Sequence, residues 1–265
     1  LLSIIIVANL LLVVACQPRS DAETSPEIVN TQSVDQDNAA QKPLVVSKVK
    51  VADNLVDALT CLDINKNMQK VDDTSKIEAI YKVQEQLEAC LPTANNKEVL
   101  TLIKSYQAMY GRFLAVDNYL DDEVFFDISE SLENQRKVSA KQLSNISSRN
   151  QYLVRLIEKD ADVSLLYIGE GIFIFHHNFQ QMADLFTPYL PKDQQTFIER
   201  MAMDNQDIFW NDAAIAVPFE EVISRAIFWE NYIQQYPKSY FIKDAKVLFA
   251  LYRHAIFFGS DNTQW

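Results

Sequence analysis

Apolar residues recur at helical spacing through most of the chain. Within 77–91 and 99–113 they return every three or four residues, the period that buries one side of an α-helix. Residues 51–68 show the same spacing, and Ser75 and Glu78 have the separation of a capping box at a helix start. The body is therefore predicted to be mainly α, a bundle of helical hairpins.

Prolines and polar turns predict where the later helices end. These helices are expected at about 178–186, 192–203, 219–235 and 239–258. Residues 129–157 have a thinner apolar stripe, which predicts one or two weaker helices.

Glycine is scarce, yet two of the four glycines flank Glu170 between two runs of β-branched and aromatic residues. Glycine adopts positive φ without strain, as tight turns require. The segment 165–175 is therefore either a short β-hairpin or a buried extended loop between helices.

The first fifteen residues are apolar and uncharged, and polar sequence follows at once. Such a run is too short to cross the roughly 30 Å hydrocarbon core of a bilayer, so 1–15 reads as a signal peptide. The junction Val13-Val14-Ala15-Cys16 resembles the lipobox of bacterial lipoproteins. The resemblance implies that Cys16 is acylated, with chains such as palmitate, and that Gln17 favours delivery to the outer membrane.

Three segments are expected after the signal peptide. Residues 16–48 are polar and offer almost nothing to bury, which predicts a disordered tether with a reach on the order of 30 Å. Residues 49–160 form an N-terminal helical region, and residues 161–265 form a C-terminal helical region packed on it. Together they are long enough to enclose a substantial core.

A formal net charge of −12 argues against binding to nucleic acid and to anionic lipid surfaces, both of which attract excess Lys and Arg. With Cys16 lipidated, Cys61 and Cys90 remain as the pair, and disulfides persist in the periplasm. We expect these two cysteines to be bonded, joining consecutive antiparallel helices. The alternative is a pair of free buried thiols.

A second resemblance covers 219–258. The run Tyr236-Pro237-Lys238-Ser239-Tyr240, followed by Asp244-Ala245, is similar to the junction between tetratricopeptide-type helices in outer-membrane assembly lipoproteins. It implies a helix pair of a shape common in proteins that bind other proteins. The buried stripe of the last helix would then consist of Phe241, Ala245, Leu248, Tyr252 and Ile256.

The best candidates for chemistry are Glu170, His176 and His177. Adjacent histidines cannot point the same way on a strand or a helix, so a ligand or metal site would use one of them with carboxylates from elsewhere. The competing interpretation leaves one histidine exposed and packs the other against Phe175 and Phe179. The spacing matches no known ligand set, so no metal and no cofactor is assigned.

Aromatic residues in the last third suggest a binding surface made of Trp210, Trp229, Tyr232 and Tyr236. Acidic residues interrupt them, and paired carboxylates near aromatic platforms can hydrolyse glycosidic bonds. Solvated acidic helix faces around a core of aromatic residues explain the same pattern. No phosphate loop, serine elbow or cysteine nucleophile is evident.

Together these features predict an outer-membrane-anchored lipoprotein with its body in the periplasm or at the cell surface. We expect it to act as a protein-interaction or envelope-assembly module, with a membrane contact through its lipid and an envelope protein as partner. The alternatives are an envelope hydrolase that uses Glu170 with His176 or His177, and a ligand-binding or inhibitor lipoprotein.

Overall fold

Helices make up most of the computed structural model, which describes residues 61–116, 122–159 and 161–263. The predicted lipobox and tether, and the part of the predicted first helix at 51–60, lie outside the described residues. Within the described residues the mainly α prediction is confirmed. No described helix is long and apolar enough to cross a bilayer.

The α-helices follow one another with short connections, as expected for helical hairpins. They are α1 Cys61–Gln69, α2 Ile77–Cys90, α3 Asn96–Phe113, α4 Asp122–Glu133, α5 Ala140–Leu143, α6 Ser148–Ile157, α7 Phe179–Phe186, α8 Lys192–Asp204, α9 Phe219–Gln235 and α10 Ile242–Phe258. Two antiparallel strand pairs lie between them: β1 Val163–Gly169 with β2 Ile172–His177, and β3 Trp210–Asn211 with β4 Ala214–Ile215.

A disulfide joins the first residue of α1 to the last residue of α2, which confirms the predicted pairing of Cys61 with Cys90. Their Cα atoms are 5.7 Å apart. Helix α1 packs on both α2 and α3. The α3 residue Arg112 donates hydrogen bonds to the carbonyl oxygens of Met68 and Val71, so a cation satisfies backbone acceptors at the end of α1.

The predicted capping box at Ser75 and Glu78 is wrong. The Ser75 hydroxyl instead bonds the side chain and the backbone of Asp72 in the preceding turn. The N-cap residue of α2 is Lys76, whose side chain makes no cap bond, and the first N–H of the helix donates to the Tyr152 hydroxyl. A capping box does form at α3, where Asn95 and Glu98 exchange hydrogen bonds between side chain and backbone. The Ser75 hydroxyl bonds Asp72 within the turn, so it is not available to cap α2.

The segment around Glu170 is the β-hairpin. Strands β1 and β2 pair antiparallel from Val163 opposite His177 to Gly169 opposite Ile172. Gly169, Glu170 and Gly171 all have positive φ, the conformation that the two glycines favour. The alternative of an extended loop is therefore excluded.

The C-terminal helices pack around buried aromatic rings. Helix α9 lies against α10, and Phe197 of α8 contacts Trp229, Tyr232 and Phe241. The predicted stripe of α10 is buried except for Ile256, which is half-buried. This core stabilises the end of the chain through area removed from water.

Candidate functional site

The two adjacent histidines point to opposite sides of the hairpin, because side chains alternate along a strand. His177 lies on the inner side with Phe173 and Phe175, and all three are buried. His176 lies on the outer side and is half-buried. Both imidazole rings also contact Phe179 of α7, so neither histidine is freely exposed.

His177 belongs to a polar cluster inside the protein. Its Nε2 atom lies 3.2 Å from Oδ2 of Asp162, with angles that do not make this contact a hydrogen bond. The same oxygen accepts a hydrogen bond of 3.0 Å from the hydroxyl of Tyr110. The Tyr110 ring also stacks on the imidazole, with centroids 3.7 Å apart and planes 11° apart.

The tyrosines around this cluster remain neutral. Burial raises the pKa of Tyr110 well above its ordinary value, and the neighbouring Tyr106 and Asp162 raise it further. Burial likewise raises the pKa of Tyr106 to about 12. Its hydroxyl accepts a hydrogen bond of 2.8 Å from Gln84. The neutral Tyr110 hydroxyl is thus a permanent donor to Asp162, which ties the hairpin to α3.

This arrangement resembles a catalytic pair only in its residue types. The side chains of His177 and Asp162 are 5% and 2% exposed, so a reactant cannot reach the imidazole without local unfolding. The cluster connects β2, α3 and the residue before β1. Its chemical role in the folded protein is therefore to bind secondary-structure elements together.

The structure does not bring Glu170 to the histidines. Glu170 is exposed at the turn, whereas His177 is at the far end of β2. Glu170 and His177 are seven positions apart in the chain, which corresponds to roughly 20 Å at the usual rise per residue of a strand. Burial, followed by the neighbouring His177, lowers the pKa of His176 to about 4, so His176 is neutral at pH 7. Among the described residues no group of three or more His, Cys, Asp or Glu could hold a metal ion.

The predicted aromatic binding surface is divided between core and boundary. Trp229 and Tyr232 are buried, and the Tyr232 hydroxyl donates a hydrogen bond of 2.9 Å to the carbonyl oxygen of Asp193. Trp210 and Tyr236 are half-buried. Since two of the four side chains are enclosed, they serve helix packing in this structure and cannot jointly contact a ligand.

A second buried polar cluster was not foreseen. On α8, Oδ1 of Asp204 lies 2.8 Å from Nε of Arg200 and 3.6 Å from Nε of Arg225. Arg225 of α9 also donates hydrogen bonds to the Asp204 backbone oxygen and to Glu221, both at 2.9 Å. Burial raises the pKa of Asp204 against the lowering effect of both arginines. Asp204 is one of the acidic residues that precede the aromatic residues of this segment, and it joins α8 to α9.

One signal could have found Asp162. If the glycines around Glu170 form a turn, residues that flank the turn at equal distances face each other across the hairpin. That register places Asp162 opposite Asn178, and therefore close to His177. The arginines of the second cluster carry no such signal, because Arg at helical spacing is ordinarily exposed.

The outer side of the hairpin is the most apolar accessible surface among the described strands. Alternation along β1 and β2 turns four aliphatic side chains away from the core, and each is half-buried. We call this surface the outer hairpin face, and it consists of Leu166, Ile168, Ile172 and Ile174.

No family model, curated protein or solved structure matches the chain. A functional proposal for this chain therefore rests on the positions of its described residues. The polar clusters are enclosed, and the surface features of interest are apolar.

Proposed function

We propose that this protein is an outer-membrane-anchored lipoprotein that acts as a protein-interaction or envelope-assembly module. Its body would lie in the periplasm or at the cell surface, tethered through Cys16. Confinement to a membrane raises the effective concentration toward partners at that surface without any new contact.

The outer hairpin face is the observation that carries this proposal. In a sheet of only two strands each strand has one edge without a strand partner in the described part of the chain. Leu166 and Ile174 face each other across the hairpin, so aliphatic side chains from both strands form one continuous surface. A partner protein could cover this surface.

Binding is favoured over the alternative of hydrolysis because of where the polar groups lie. His177 and Asp162 are enclosed, and His176 has no carboxylate from Glu170 within reach. A nucleophile or general base must reach the reacting atoms of a substrate. The outer hairpin face, in contrast, is already accessible.

Site-specific photocrosslinking in cells would test the interaction. A photoreactive residue in place of Ile174 should yield a discrete crosslinked protein, whereas one in place of the exposed Tyr81 of α2 should not. The same adduct should be lost when Leu166→Asp is added, since a charge on an apolar interface is costly to bury. Equal crosslinking from Ile174 and Tyr81, or none from Ile174, would contradict the proposal.

The anchor requires a separate test. Cells fed an alkyne-tagged fatty acid should label the wild-type protein, and Cys16→Ala should abolish the label. Labelling that persists in Cys16→Ala would overturn the lipidation, and it would leave the interaction at the outer hairpin face untouched.

A further inference from the structure

The outward side of α10 is basic in a chain whose net charge is −12. Lys243, Lys246 and Arg253 are all exposed on this helix, and Asp244 is its only acidic residue. Steps of seven and four residues place Lys246, Arg253 and Phe257 above one another on the same side of the helix. We call this surface the cationic face of α10.

Large apolar side chains are exposed on the same helix, Phe257 in line with the basic residues and Phe258 beside it at the last position of α10. Phe257 and Phe258 are each 73% exposed, and Val247 is 54% exposed. Phenylalanines this exposed gain little from the protein core and leave most of their apolar surface in contact with water, which is unfavourable. Arg253 lies over the ring of Phe249, so its aliphatic stem follows apolar surface while its charge stays outside.

The phenylalanines are held at a fixed position. Gly259 ends α10 with a positive φ, and its N–H bonds the Ala255 carbonyl at 2.9 Å. The chain then turns back, and the Thr263 hydroxyl accepts a hydrogen bond of 2.9 Å from Ile215 N–H on β4. The residues after α10 are therefore hydrogen-bonded to the β3 and β4 pair, which holds the end of the helix where Phe257 and Phe258 lie.

We propose that the cationic face of α10 docks on the surface of a bilayer that contains anionic phospholipid. Basic side chains along one face attract phosphate headgroups, and phenylalanines enter the boundary between headgroups and acyl chains. The positive charge of this face selects the anionic lipid within an otherwise acidic chain.

This inference goes beyond the proposed function and does not depend on the anchor. The outer hairpin face and the cationic face belong to different elements, so lipid docking would orient the body while the hairpin remained available to a partner. Failure of one proposal leaves the other standing.

Photocrosslinking to vesicles gives a local test with the full chain carrying Cys16→Ala. Benzoylphenylalanine in place of Phe258 keeps the phenyl ring and adds a benzoyl group to a side chain that is 73% exposed, so folding is kept. The matched control carries it in place of Ile227 of α9, an apolar side chain that is 52% exposed. The vesicles are equal parts phosphatidylglycerol and phosphatidylcholine, compared with phosphatidylcholine alone.

A phospholipid adduct is expected at position 258 with the anionic vesicles and not at position 227. Changing Lys243, Lys246 and Arg253 to Gln should weaken vesicle binding through this face about fivefold for each residue. Equal adducts with phosphatidylcholine alone, equal adducts at both positions, or no adduct at 258 would overturn the proposal. A protein adduct at 258 in intact envelopes, in place of lipid, would assign the face to a protein partner and overturn it as well.

Discussion

At Asp162 a single carboxylate oxygen serves two neighbours, the Tyr110 hydroxyl and the His177 imidazole. All three side chains are buried. A buried carboxylate is costly unless it accepts a hydrogen bond, and here the Tyr110 hydroxyl donates that bond. A histidine that looks catalytic in the sequence can therefore be part of the framework.

Replacing Asp162 by Ala should lower the free energy of unfolding by about 2 to 3 kcal/mol, because the change leaves buried polar partners unsatisfied. Urea denaturation followed by circular dichroism measures this difference. Asp207→Ala is the matched control, since Asp207 is exposed. Equal losses from the two variants would mean that the buried cluster contributes nothing particular.

Among the elements, the β1 and β2 hairpin depends most on a single backbone position. Gly169 has a φ of +100°, and a Cβ there would lie 2.5 Å from the Asp212 backbone nitrogen. The turn of the second strand pair, at Asp212 and Ala213, also has positive φ. The two turns therefore approach so closely that only glycine fits at position 169.

Gly169→Ala should destabilise the protein by about 1 to 3 kcal/mol, from strain at positive φ and from the clash with backbone. Gly111→Ala is the matched control, because nothing lies within 4 Å of a Cβ at that helical position. That change should instead stabilise the protein by about 0.5 to 1 kcal/mol, since alanine favours helix. Thermal melts of the two variants should shift in opposite directions, and shifts of the same sign would contradict this account.

For the whole molecule, the disulfide acts on the unfolded chain as well as on the folded one. The bond joins residues separated by 29 positions, and α1 between them packs on both α2 and α3. Closing a loop of this length restricts the unfolded ensemble. The constraint supports the first helices of the described body.

Reducing the disulfide should lower the free energy of unfolding by about 3 to 4 kcal/mol in the chain-entropy model. Denaturation curves with and without a thiol reductant measure the loss. A variant with both Cys61→Ala and Cys90→Ala should start from the lower stability and should not respond to the reductant. If the reductant shifted that variant equally, its effect would not come from this bond.

What could be predicted from the sequence differs between elements and residues. Helix α9 was expected at 219–235 and lies at Phe219–Gln235, because its apolar period and the preceding proline are both local signals. The capping box predicted at Ser75 and Glu78 does not form, because Asp72 binds the same hydroxyl. Trp229 and Tyr232 were considered as surface residues because a sequence does not say which aromatic side of a helix another helix covers.

The sequence by itself determined the helical class, which depends on spacing along the chain. It left two alternatives open at Glu170, a hairpin or an extended loop, and two for Cys61 and Cys90, a disulfide or free thiols. Tertiary structure alone decided that His177 lies against Asp162 and Tyr110, and that Asp204 is enclosed beside Arg225. These outcomes depend on contacts between residues distant in sequence, and burial is a property of the whole packed molecule.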